Sequence, residues 1–168
     1  MAMKKIITRA LVVMMAFLGL STTTTFAATP DEDSDLLVAI LKEIVSATND
    51  ELPSEIEDGM VLNKLSLNDT RLIFDYLVDD ETYAAIKASM VIMDKEEATM
   101  ALMEGILESD DGTMYIFLAF CAEAGRGVEF RFSDFSREGT VKFYITQYDI
   151  KYLLDDDIDI YSLLEELM

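Results

Sequence analysis

The sequence predicts an α+β domain: a four-stranded antiparallel sheet made from two hairpins, covered by helices and followed by a C-terminal amphipathic helix. Two observations carry this expectation. Two stretches alternate apolar and polar residues with period two, each interrupted by a polar turn, which is the pattern of a β-hairpin with one buried face. Before, between and after them, apolar residues recur at spacings of three and four, the pattern of helices that bury one stripe.

The chain opens on a segment that reads as a signal peptide over residues 1–27. Lys4, Lys5 and Arg9 make a basic start, Ala10 to Leu20 is an uncharged apolar run, and Thr25-Phe26-Ala27 supplies small residues at the positions that a cut after Ala27 needs. The run is shorter than the ~20 residues required to cross a bilayer. The expected product is a mature single domain over residues 28–168 with an acidic tail at 155–168, exported from a bacterium to the periplasm or the medium, with no membrane association after signal removal.

Thr29-Pro30-Asp31-Glu32 marks the first helix start: Thr29 as N-cap, Pro30 at the first helical position and Glu32 completing a capping box. Leu37, Ile40, Leu41, Ile44 and Val45 form its stripe, and it should stop near Asn49, before Pro53. Residues 50–59 are expected to be an acidic connection. The first hairpin sets Val61, Leu65 and Leu67 against Leu62, Lys64 and Ser66, then Leu72, Phe74, Tyr76 and Val78 against Arg71, Ile73, Asp75 and Leu77. Asn68-Asp69 is expected to be a two-residue turn.

Asp80 is the expected cap of the next helix, whose stripe is Tyr83, Ile86, Met90 and Met93. That helix either continues through Met100, Met103 and Leu107 or bends at Asp94, where Glu97 three residues on offers a new capping box. Thr113 to Ala124 is apolar all round and reads as a helix closed by Gly125, with a buried strand as the alternative. In the second hairpin Val128, Phe130 and Phe132 alternate with Glu129, Arg131 and Ser133, and Val141, Phe143 and Ile145 alternate with Lys142, Tyr144 and Thr146, across a turn at Ser136 to Gly139. Residues 149–154 suit a helical turn, and Asp157 should cap a last helix with Ile160, Leu163, Leu164 and Leu167 on one stripe.

The segments Asn49-Asp50-Glu51-Leu52-Pro53, Asp58-Gly59, Leu72-Ile73-Phe74-Asp75-Tyr76 and Gly127-Val128-Glu129-Phe130-Arg131-Phe132 together resemble small exported bacterial proteins of unassigned activity that carry an N-x-x-L-P segment followed by aromatic-alternating strands. The resemblance spans roughly Lys42 to Ile150, and Cys121 stands alone where that pattern has a cysteine pair. It implies an exported α+β domain and supplies no catalytic residue.

Charge and absences bound the function. The chain has 13 Lys plus Arg against 33 Asp plus Glu, a net charge of −20, and loss of Lys4, Lys5 and Arg9 with the signal would make it more negative still. Such a field repels nucleic acid and anionic lipid, and favours cations and basic proteins. With no histidine there is no imidazole base and no Ser-His or Cys-His pair. Gly125-Arg126-Gly127 lacks the third glycine of a dinucleotide loop. Cys121, among Ile116, Phe117, Leu118 and Phe120, reads as a buried inert thiol, with an intermolecular disulfide as its alternative.

The expectation is therefore a non-enzymatic acidic binding protein without a cofactor that captures a basic protein partner, with an immunity or inhibitor protein as the most concrete form. Its oligomeric state is left open. The clusters offered for contact are Asp31, Glu32 and Asp33; Glu55, Glu57 and Asp58; and Asp155, Asp156 and Asp157. A metal-binding module is the alternative. Asp155, Asp157, Asp159 and Glu166 match four positions of an EF-hand calcium loop, although Ile160 stands where that loop turns on glycine. Met90 with Met93 and Met100 with Met103 are thioether pairs suited to Cu(I), in company that suits core filling better. A carboxylate-dependent hydrolase ranks below both, because an acid-rich chain always offers pairs of carboxylates and this one has no tryptophan to stack a sugar.

Overall fold

The computed structural model describes residues 30–94, 96–101 and 113–154. In chain order these form α1 (Pro30–Asn49), β1 (Ser54–Glu57), β2 (Met60–Leu67), β3 (Arg71–Val78), α2 (Asp80–Ile92), a helical stretch at 96–101, α3 (Thr113–Glu123), β4 (Gly127–Asp134), β5 (Thr140–Ile145) and α4 (Gln147–Leu153). The signal segment and the last helix expected from Asp157 lie outside the described residues.

The fold class is α+β, and the sheet corrects the expected four antiparallel strands in two ways. It has five strands in the order β1-β2-β3-β4-β5, and the central pair β3–β4 is parallel. The connection from β3 to β4 runs through α2, residues 96–101 and α3, long enough for the crossover that parallel neighbours require. The extra strand, Ser54–Glu57, lies in the stretch expected to be a connection; it pairs antiparallel with β2 after the cis Leu52–Pro53 bond. Short and charged, it fits the edge of a sheet, where such composition discourages pairing with other chains.

α1 spans Pro30 to Asn49 as the proline and the stripe foretell, and buries Leu37, Ile40, Leu41 and Ile44. Asn49 then ties the helix end to the sheet: its side chain accepts from Leu65 N and donates to Leu65 O, both at 2.9 Å. Leu62 and Leu65 are both buried although they are three residues apart, because a bulge between Leu62 and Lys64 resets the phase of β2. That bulge corrects the simple alternation expected here, in which Val61 faced inward; Val61 is only half-buried. The turn to β3 has two residues but sits one place later than Asn68-Asp69: Asn68 N donates to Arg71 O at 3.0 Å, which leaves Asp69 and Thr70 as the link, and the Asn68 side chain accepts from Thr70 N and Arg71 N.

Asp79, not Asp80, is the N-cap of α2; its extended backbone and its acceptance of a bond from Thr82 N at 2.7 Å place the helix start one residue earlier. At its other end the helix breaks. Asp94 accepts from the backbone of Glu96 and Glu97 while Glu97 Oε2 accepts from Asp94 N, so the bend with a new capping box is the arrangement formed. α3 is a helix, closed by Gly125 at φ +70°, with Arg126 N donating to Cys121 O at 2.8 Å. α4 carries a complete capping box between Thr146 and Asp149.

All the buried apolar residues of the described helices join those of one sheet face in a single core. Phe74 stacks on Phe130 with centroids 5.3 Å apart, and Tyr76 on Phe132 at 5.1 Å, across the parallel β3–β4 pair. Phe117 of α3 meets Phe74 edge-on from the helix layer. Cys121 lies within this core, fully buried, and burial pushes its thiol well above the ordinary range. In the folded state it is therefore out of reach of another chain, which removes the intermolecular disulfide. Among the described residues no helix is long and apolar enough to cross a membrane.

Candidate functional site

The described helices pack on one side of the sheet, so the alternate residues of the strands make a second, polar face. Its centre is Glu129. The register sets Ile73 and Tyr144 beside it on β3 and β5, and Arg131 two residues along its own strand. Arg71 and Arg131 each bond one oxygen of the Glu129 carboxylate, and Arg131 reaches toward Asp75 at 3.9 Å. The guanidinium of Arg71 also lies over the Tyr144 ring, 4.1 Å from its centroid. Gly127 makes room for that ring: a Cβ there would come 2.4 Å from Ile145 O and 2.8 Å from the Tyr144 ring.

Glu129 is only 3 % exposed. Burial raises its carboxyl pKa, but the hydrogen bonds from Arg131 and Arg71, with their charges, more than reverse this and hold it below the usual carboxylate range. Lys64, opposite Asp75, and Lys142, opposite Arg131, add exposed cations to the same face. In a chain of such negative charge, one sheet face thus collects four basic side chains around two acids. Its salt bridges are an internal network, with both arginines already committed.

The acids gather elsewhere. Gly59, at φ +76°, turns the β1–β2 link so that Asp79 N donates to Gly59 O at 2.9 Å. This joins Glu55 and Asp58, both exposed, to Asp79, Asp80 and Glu81 at the start of α2. Glu57 ends β1 in the same link. Thr82 N, bonded to the Asp79 carboxylate, holds its pKa down. The result is an acidic corner that no single stretch of sequence contains. Asp79 to Glu81 was missed as part of it because a cap and a helix start explain those acids locally; the signal that could have joined them is the glycine at 59.

Of the other clusters, Asp31, Glu32 and Asp33 lie in the first turn of α1, far along the chain from the corner. Asp155, Asp156, Asp157, Asp159 and Glu166 lie outside the described residues. Among the described residues no group of three or more His, Cys, Asp or Glu is placed to hold a metal ion. Met90 packs against the core, Met93 is 40 % exposed at the end of α2, Met100 is half-buried, and Met103 lies outside the described residues.

A concavity of about 260 Å³ is lined by Glu96, Thr99, Met100, Tyr144, Ile145 and Asp149. It is smaller than the ~300–1,000 Å³ of ordinary small-molecule sites. Its two carboxylates are not equivalent. Asp149 Oδ2 accepts from Thr146 N at 3.1 Å and Oγ1 at 2.6 Å, so it is engaged in capping α4, whereas Glu96 is exposed.

No protein-family model matches the chain, and no curated protein matches it. Among solved structures it is similar to a Pseudomonas aeruginosa protein described as inferred to be secreted, at 12% identity and a TM-score of 0.50, over 74% of this chain and 98% of that one. At that identity the likeness speaks for a shared fold.

Proposed function

We propose that the protein is an exported, non-enzymatic binding protein whose acidic exterior captures a basic protein in the cell envelope, as an immunity or inhibitor protein does. The observation that carries this reading is the acidic corner. Folding brings Glu55 and Asp58 next to Asp79, Asp80 and Glu81, while much of the positive charge is drawn off to the sheet face around Glu129. A field separated in this way attracts a cationic surface and orients it. The basic and apolar start of the chain supports export, and so does the secreted description of the structural neighbour.

The test is association kinetics of the mature chain with the basic protein that it captures from envelope extracts. The association rate should fall by at least about tenfold as ionic strength rises from roughly 0.02 to 0.5 M, with much less change in dissociation. Replacing Asp58, Asp80 and Glu81 by their amides should slow association at low salt by several-fold. A rate indifferent to salt would remove the electrostatic basis of the proposal.

A further inference from the structure

We infer that the outer face of α4 is the anchor for that partner: a ledge made by Tyr148 and Tyr152, beside the concavity at Glu96 and Asp149, receives an arginine-bearing protein segment. The inference rests on the reading of a basic partner and adds the place and the chemistry of its grip.

Tyr148 and Tyr152 are 74 % and 81 % exposed. Four residues apart, they share one side of the helix. The opposite side is fixed, because Ile150 and Leu154 are buried. The capping box at Thr146 and Asp149 fixes the start of the helix, and buried Leu154 fixes its end. Two large rings are therefore displayed on a rigid support with their surfaces in water. Exposed rings of this kind supply contact area at little cost in side-chain entropy, which is why tyrosine recurs at the centre of interfaces.

Charge selects the occupant. Asp149 lies one residue after Tyr148 and three before Tyr152, and it lines the concavity with Glu96. Among the described residues the Glu96 side chain has no hydrogen bond or ion pair and no basic residue lines the space, the guanidinium of Arg71 lying over the Tyr144 ring and engaged with Glu129. An anion would be repelled here. A guanidinium can lie flat on a tyrosine ring and bond a carboxylate at its edge, and this chain already packs Arg71 on Tyr144 in that way. The volume of about 260 Å³ suits one long side chain better than a whole small molecule.

The ledge and the acidic corner are far apart. α4 follows the end of β5, which is antiparallel to β4, so it lies at the end of the sheet where β3 begins; the corner lies where β3 finishes. Eight residues of strand separate them, roughly 25 Å. Division of labour follows: the corner governs how fast the partner arrives, and the ledge how long it stays.

The experiment titrates the mature full-length chain with the fluorescent peptide acetyl-(Arg-Leu)4-amide, and with the same peptide carrying neutral citrulline for arginine. The native chain should bind the arginine peptide and not the citrulline one. Tyr148→Ala with Tyr152→Ala should weaken binding at least tenfold through faster dissociation, Tyr148→Phe with Tyr152→Phe should retain it, and Glu96→Gln should weaken it several-fold. The amide variant of the acidic corner should slow association and leave dissociation unchanged. Salt-dependent peptide binding that survives the double alanine variant within twofold would overturn the ledge and leave the basic-partner reading standing. No binding by the native chain, or equal binding of the citrulline peptide, would overturn both.

Discussion

The two faces of the sheet are made by alternate residues of the same strands, yet they are held by different forces. On the helix side, Phe74, Tyr76, Phe130 and Phe132 stack across β3 and β4 with no charge among them. On the other side, the intervening residues Asp75, Glu129 and Arg131, with Arg71, form a chain of ion pairs. The dry face gains from area removed from water, spread over many contacts and indifferent to pH. The polar face depends on one carboxylate, since Glu129 accounts for both arginines. A sheet can therefore be tuned on one side without disturbing the other.

The largest effect should come from the dry face. Phe130 is 2 % exposed and stacks on Phe74 of the neighbouring strand, so Phe130→Ala should cost about 3–5 kcal/mol in urea unfolding. That loss should be nearly the same at pH 4 and at pH 7. A loss much larger at one pH than the other would break the separation of the two faces.

Glu129→Gln should come next, costing about 2 kcal/mol near neutrality, because two charge-assisted bonds are lost and two arginines are left facing one another. Its pH dependence distinguishes it from Phe130→Ala. The folded pKa of Glu129 lies below the value of about 4.3 for an unfolded glutamate. Its contribution is thus complete above that unfolded value and is lost as pH falls through the folded one. Asp79 and Asp134, also lowered, add to the acid sensitivity of the native chain, so the readout is the difference between native and variant. That difference should shrink steadily on acidification below about pH 4.3. A gap that stays constant down to the lowest pH would mean that Glu129 does not act through its charge.

How much of this was legible in the sequence follows the same division. Period two told which residues of β3, β4 and β5 face the helices, since Leu72, Phe74, Tyr76, Val128, Phe130 and Phe143 are all buried as the alternation requires. Caps and breaks were legible where a local motif fixes them, as at Asp94–Glu97, Gly125 and Thr146. Alternation within a hairpin says nothing about how two hairpins join, so the parallel β3–β4 pair could not be read. β1 escaped because Ile56 is its only apolar residue, and a charged edge strand resembles a loop. The same silence hid the function. Glu129 looked like one more solvated acid until the register placed Arg71, distant in sequence, beside it, and the acidic corner needs a contact between Gly59 and Asp79 that no spacing announces.

The smallest expected effect sharpens the comparison most, because it holds the chemistry fixed and changes only the surroundings. Lys151 and Glu123 form an ion pair at 2.9 Å between α4 and α3, with side chains 41% and 43% exposed. Water and salt screen such a pair, and fixing two long side chains has an entropic cost. Lys151→Gln should therefore change stability by no more than about 0.5 kcal/mol, and that change should shrink further in 0.5 M salt, where the Debye length falls to about 4 Å. The Glu129 pairs should keep most of their contribution under the same salt, since their shared carboxylate is almost fully buried. Parallel salt titrations of the two variants decide the matter: equal sensitivity to salt would mean that burial of Glu129 does not set the strength of the network, and a Lys151→Gln loss above 1 kcal/mol would mean that the α3–α4 contact depends on that charge pair more than on the buried Ile150 and Leu154.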